Sequence, residues 1–314
     1  MRTAFMRALE DYASPNTILA LGDLGFGVVD KFRQMYPKQV INAGVAEQNL
    51  TGLATGLALA GKKVFTYSIA NFNTLRALEQ IRNDIAYHNL NVTVVSIGGG
   101  LAYGALGISH HATEDIAIMR TIPDMTVFAP GDTEEAYEIT RLILQQDLGP
   151  VYLRLGRAGE ATLHTKETIK KLEIGKGLPL ILRERKEIAI LSTGGMLETA
   201  KDVSEMLEKD GLSASVFSMH TIKPFDKTLV RNIFKDYEYV LSLEEHSIIG
   251  GLHSAILESL VGVANLDLSK YFPFALPSVF TSEVGSQTYL RDYFGISADK
   301  IFQTIKQKVR KTER

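Results

Sequence analysis

Short apolar bursts alternate with longer amphipathic stretches along the whole chain. The bursts at 17–21, 63–68, 92–97, 126–129 and 150–155 are too short for buried helices and predict strands. Between them, 47–60, 74–88 and 134–146 repeat apolar residues at helical spacing. The second half has the same habit, with strands expected at 187–191, 213–218 and 239–243 and helices at 197–209, 227–234 and 254–260. The opening MRTAFMRALEDYASPN predicts a short amphipathic helix that stops at Ser14-Pro15. Strands alternating with helices of this length predict an α/β protein of two domains, each a mainly parallel sheet flanked by helices. The stretch from Ala158 to Lys186 is charged and poorly periodic, as surface chain between domains is. The expected division is therefore a domain at 1–160, a linker at 161–186 and a second domain at 187–314.

Length agrees with this division, since 314 residues is about two domains at roughly 150 each. With 34 Lys and Arg against 36 Asp and Glu, the chain has no overall attraction for nucleic acid or an anionic membrane. No apolar run reaches the roughly 18 residues of a membrane span, and the N-terminus lacks the apolar core of a signal peptide, so a cytoplasmic protein is expected. The absence of cysteine excludes disulfides, thiolate metal sites and a thiol nucleophile.

Four segments carry candidate chemistry. Gly22-Asp23-Leu24-Gly25-Phe26-Gly27 follows a strand, where parallel sheets bind ligands, but its glycines lack dinucleotide spacing and fit a tight turn equally well. Glu47 opens a helix rich in small residues, GVAEQNLTGLATGLALAG, which is expected to be well buried. There a carboxyl serves either as a cap or dipole partner, or as a proton donor whose pKa an apolar setting raises. The glycine-rich loop 98–107 leads to His110 and His111. These are solvated or capping residues, metal ligands with Glu114 and Asp115, or an active-site histidine above the sheet. At the end of a strand, Arg154 and Arg157 suit either a phosphate or a salt bridge at the domain edge.

The order of these blocks resembles the transketolases and related thiamine-diphosphate enzymes, specifically their pyrimidine-binding and terminal domains. The resemblance rests on GVAEQNLTGLATGLALAG, ALEQIRND, SHHATEDIAIMRTIPDMTVFAPGD and AILSTGGMLETAKDVSEMLEKDGLSASVFSMHTIKPFD, in that order. It implies that Glu47 holds the pyrimidine ring nitrogen of thiamine diphosphate and that His110 faces the substrate. It further implies that Asp23 lies near the cofactor, and that Arg157 and Arg2 bind a substrate phosphate. Arg154 matches a recurring basic residue left as structural. The aromatics that stack on the pyrimidine fall at Ala70 and Asn73, with Phe72 or Tyr67 as substitutes. The donor-contacting aspartate falls at Leu106 and a further loop histidine at Gly98, which points to an unusual sugar.

The family's diphosphate-binding half is missing. Gly22-Asp23 and Asn49 nearly match its metal-binding spacing, but Leu24 breaks it, so no metal ligand is expected in this chain. The resemblance thus implies the C-terminal subunit of a two-component transketolase, moving a two-carbon ketol unit between sugar phosphates. A partner N-terminal subunit would hold Mg²⁺ and the diphosphate, in a dimer of heterodimers. Two alternatives stay open. One is a decarboxylating relative, either a 2-oxo acid dehydrogenase beta subunit or a deoxyxylulose-phosphate synthase. The other is a non-catalytic regulatory or assembly subunit.

Overall fold

Twelve strands form two sheets in the computed structural model, which describes residues 1–312. In chain order the strands are β1 (Thr17–Leu21), β2 (Val40–Asn42), β3 (Lys63–Ile69), β4 (Val92–Ile97), β5 (Thr126–Phe128) and β6 (Val151–Leu155). They continue as β7 (Leu178–Ile181), β8 (Ile188–Ser192), β9 (Ala214–Ser218), β10 (Thr221–Lys223), β11 (Tyr239–Ser247) and β12 (Tyr271–Leu276). The first sheet has the order β10-β5-β6-β4-β3-β1-β2 and the second β12-β11-β8-β9-β7. All pairings are parallel except β10 with β5 and β7 with β9. Every residue of β1, β4, β6, β8 and β9 is buried, as expected where helices cover both faces of a parallel sheet. The architecture is the two-domain α/β fold that the alternation predicts.

The differences are local and have physical reasons. Segment 161–186, expected as a linker, carries a short helix at Lys166–Ile169 and the edge strand β7, which pairs with β9. Pro179 in β7 and Pro273 in β12 lie on edge strands, where a missing N–H costs no ladder bond. The stretch expected as one helix at 74–88 starts earlier, at Ala70–Leu75, and breaks before a single turn at Leu78–Gln80 and a π-helical turn at Ile81–Ala86. The helix Glu47–Leu59 is not well buried. It sinks Glu47, Leu50, Thr51 and Ala54, but leaves Gly52, Gly56 and Leu59 exposed.

A polar seam joins the halves. Arg154, at the end of β6, donates to both oxygens of Asp115 at 2.7 and 3.2 Å. It also donates to the carbonyls of Ala112 and Glu245, each at 3.0 Å. Glu245 in β11 accepts the Leu101 N–H at 2.6 Å and pairs with Arg291 and Gln287. One apolar core crosses the seam, packing Val127, Tyr152 and Ile116 with Phe217, Leu252 and Ile256. Among the described residues no helix is long and apolar enough to cross a membrane.

Candidate active site

The loops after β1, β3, β4 and β6 leave the carboxyl ends of four neighbouring parallel strands, the edge where open α/β sheets bind ligands. After β1, Asp23 adopts φ +55° in a tight turn. Its N–H donates to Asn42 Oδ1 at 3.1 Å, and Asn42 Nδ2 returns a bond to its carboxylate at 2.9 Å. Gly22 packs directly on Ser68, where even a methyl group would stand 3.0 Å from the hydroxyl. That contact seats Ser68, whose Oγ donates to Glu47 Oε1 at 3.0 Å.

Glu47 lies in the first turn of its helix, where the dipole favours a carboxylate, and no capping box forms. Its side chain is buried, but not in the apolar setting expected. Ser68 takes one oxygen, and Arg76 Nη1 donates to the other at 3.1 Å. The carboxyl opens on a cavity of about 550 Å³ lined by Val45, Ala46, Gln48, Asn49 and Arg76.

From Arg76 the chain of contacts continues across the strand ends. The Arg76 guanidinium carbon stands 3.9 Å from the centroid of the Phe72 ring. The Phe72 ring in turn meets His110 edge-on at 4.9 Å. His110 Nδ1 bonds to Ser109 Oγ at 2.9 Å. Its pKa is lowered by partial burial, helped by the charges of Arg76 and His111, so the ring stays neutral near pH 7. Tyr103 lies 6.0 Å from His110 and under Arg157, whose guanidinium carbon stands 5.1 Å from the ring centroid. Burial raises the Tyr103 hydroxyl, while Arg2 and Arg157 both pull it back down, so arginines from opposite ends of the first domain converge there. Arg2 acts on Tyr67 in the same way, although burial wins and pushes that hydroxyl up to about 12.

Six residues were expected to form the site, and the structure brings five of them into this arc: Glu47, Phe72, His110, Arg157 and Arg2. Asp23 touches it only through the neighbouring Gly22–Ser68 contact. Tyr67 is fully buried in β3 and leaves Phe72 as the aromatic beside the cavity. Asn73 points into the sheet, donating to Val95 O at 3.0 Å, and Ala70 is buried, so neither position could present a ring to the cavity. At Gly98 a side chain is excluded by Tyr103, whose ring would lie 2.1 Å from a Cβ there. Leu106 is exposed. His111 is buried with Nε2 on Gly104 O at 3.2 Å, and Asp115 is consumed by Arg154 and the Tyr152 hydroxyl. Among the described residues no three of His, Cys, Asp or Glu gather to hold a metal. Sequence reasoning missed Arg76, Tyr103 and Ser68. Arg76 alone carried a signal, four residues beyond Phe72 and thus one helical turn away.

The family model for the transketolase pyrimidine binding domain matches residues 1–159, and that for the transketolase C-terminal domain matches 177–301. The chain belongs to the transketolase family. Within this thiamine-diphosphate family it corresponds to the C-terminal, split-subunit half and is a transferase subunit. It is 38% identical to a putative transketolase C-terminal section of Methanocaldococcus jannaschii, over 89% of this chain and 86% of that one. It is 34% identical to the 6-deoxy-6-sulfo-D-fructose transketolase subunit SqwH of a Clostridium species, over 96% and 92%. Among solved structures, a split gene transketolase in an inactive beta4 tetramer superposes with a TM-score of 0.85 at 33% identity, covering 98% of this chain and 96% of that one.

Proposed function

We propose that this transketolase-family chain is the C-terminal subunit of a two-component transketolase that moves a two-carbon ketol unit between sugar phosphates. The observation that carries the reading is the buried Glu47 carboxyl, open to a cavity at the strand ends and joined to His110 through Arg76 and Phe72. The residues present fit an aminopyrimidine, with a buried carboxyl for its ring nitrogen and an aromatic face beside it. Thiamine diphosphate, when bound, supplies an acidic thiazolium carbon and an electron sink for carbon–carbon bond cleavage. Glu47 would hold a proton at the pyrimidine nitrogen, fixed in place by Ser68. Phe72 would offer the ring a flat apolar face, and Asp23 would lie at the cofactor's edge. His110, neutral and half-exposed, would exchange a proton with the substrate hydroxyl. Arg157 and Arg2 would bind the sugar's phosphate.

A separate N-terminal subunit would supply Mg²⁺ and the diphosphate site. Two relatives that match this chain over most of their length are themselves called a section and a subunit, which supports that division of labour. The open face of the Glu47–Leu59 helix, with Gly52 and Gly56 facing empty space, supports self-association of this chain into a dimer. Exposed Leu106, where the donor-binding aspartate is expected, favours a donor other than an ordinary ketose phosphate.

The test is Glu47→Gln in the complex with the partner chain. Ketol transfer should fall by about 10²–10⁴ while the melting temperature holds. Full turnover by the variant would overturn the mechanism. Carbon dioxide release from pyruvate would instead support a decarboxylating relative. A complex that binds no thiamine diphosphate in calorimetry would be an assembly or regulatory subunit.

A further inference from the structure

Arg76 touches both residues that the proposed function assigns to the pyrimidine ring. Its Nη1 donates to Glu47 Oε2 at 3.1 Å, and its guanidinium lies 3.9 Å over the Phe72 ring. A guanidinium is flat, cationic and rich in donors, and it stacks well on aromatic faces. A protonated aminopyrimidine shares that chemistry and would seek the same two contacts. Arg76 also lines the cavity beside Glu47 whereas Phe72 does not, so the guanidinium stands between the open space and the aromatic face.

Building on the proposed function, we infer that Arg76 is a stand-in for the cofactor's pyrimidine. It pairs with Glu47 and lies over Phe72, and yields both contacts to the incoming ring by swinging into solvent. The energetics favour such an exchange. The Glu47 carboxyl keeps the Ser68 hydroxyl on one oxygen and opens on the cavity, so an incoming donor can replace Arg76 on the other as it leaves. The Arg76 side chain is 49% exposed, so its head needs little rearrangement to return to water. Arg76 follows the last residue of the Ala70–Leu75 helix, in the turn before Ala77. The consequence is a threshold: cofactor binds only by displacing an ion pair and a cation–π contact. Arg76 acts through Glu47 and Phe72, and so is a positioning residue rather than a catalytic one.

The experiment titrates thiamine diphosphate with Mg²⁺ into the complex of this chain and its partner, followed by calorimetry. Arg76→Ala should bind about tenfold more tightly than the wild type, the summed worth of a partly exposed ion pair and a cation–π contact. Arg76→Met, which keeps an apolar stem over Phe72 but loses the pair, should gain less. As a second readout, the Arg76 side-chain NMR signal should be protected in the free complex and become solvent-exchanging on cofactor addition. Weaker binding by Arg76→Ala, or an Arg76 signal that stays protected with cofactor bound, would overturn the inference and leave the proposed function standing. A wild-type complex that binds no thiamine diphosphate would overturn both.

Discussion

Arg154 and Arg76 each pair with a buried carboxylate, Asp115 and Glu47, but the two pairs differ in everything around them. Arg154 is 6% exposed and makes four hydrogen bonds, two to Asp115 and two to backbone carbonyls on either side of the domain seam. Asp115 takes a further bond from the Tyr152 hydroxyl at 2.6 Å. Arg76 is 49% exposed and gives Glu47 a single hydrogen bond beside an open cavity. The first pair is saturated and holds the halves together. The second is sparsely bonded, and a ligand can compete for it. An arginine–carboxylate pair therefore serves structure or chemistry according to burial and the number of partners, which the residue identities alone do not reveal.

The largest test of this contrast is a matched pair of substitutions in the full chain. Arg154→Met leaves Asp115 charged and buried without its cation, and should cost about 3–5 kcal/mol in denaturant unfolding. Arg76→Met should cost no more than about 1 kcal/mol, because its pair is half in water. Equal losses would erase the distinction between a structural and an exchangeable pair.

Much of the fold was legible because a parallel sheet covered on both faces writes its strands as apolar bursts, as at Val92–Ile97 and Ala214–Ser218. The edges were not legible. Val40–Asn42 and Thr221–Lys223 have three residues each, and Leu178–Ile181 and Tyr271–Leu276 contain proline. In the site, Glu47 and His110 could be placed by motif order, since each sits at a fixed point near a strand end, whereas that order put the aromatics at Ala70 and Asn73 and reached Phe72 only as a substitute. The burial of Asn73 could not, because it follows from where the Ala70–Leu75 helix begins, and so from the rotation that turns Asn73 toward Val95. Tyr103 over Gly98, and the convergence of Arg2 with Arg157, depend on contacts between segments distant in sequence.

A middle-sized effect probes the arginines at the far end of the arc. Arg157 is exposed above Tyr103 and, among the described residues, makes no ion pair, unlike Arg154 three residues before it. In the complex with its partner, Arg157→Ala should raise KM for a phosphorylated acceptor about 10–100-fold, the worth of hydrogen bonds to a charged group. Stability should change by about 0.5 kcal/mol or less. An unphosphorylated acceptor should be handled as well by the variant as by the wild type. An equal loss on both acceptors would remove the phosphate role and make Arg157 resemble the seam arginine.

The smallest effect per step is a pH dependence confined to the seam. His246 and Glu244 stand 3.8 Å apart, both fully buried in β11. Burial, with the charge of Arg154, holds His246 down to about 4, against the opposing pull of Asp115. Its neutral ring is fully used, with Nδ1 on Ser247 O at 2.8 Å and Nε2 accepting the Ala117 N–H at 3.2 Å. Burial pushes Glu244 up to about 7, despite the N–H groups of His253 and Leu252 and the charges of Arg154 and Arg120. As pH falls below 6.5, the unfolded chain protonates this histidine and the fold does not. His246 therefore withdraws up to about 1.4 kcal/mol of stability per pH unit until about pH 4. Glu244 has the opposite sign, because between about pH 7 and 4.5 the folded carboxyl binds a proton that the unfolded one releases. The two effects offset each other between pH 6.5 and 4.5. His246→Gln removes only the first, so the variant should gain about 2–3 kcal/mol on the wild type over that interval in unfolding titrations. A constant difference between the two proteins across those pH values would mean that the seam histidine titrates as if in water, and that burial does not separate the two regions electrostatically.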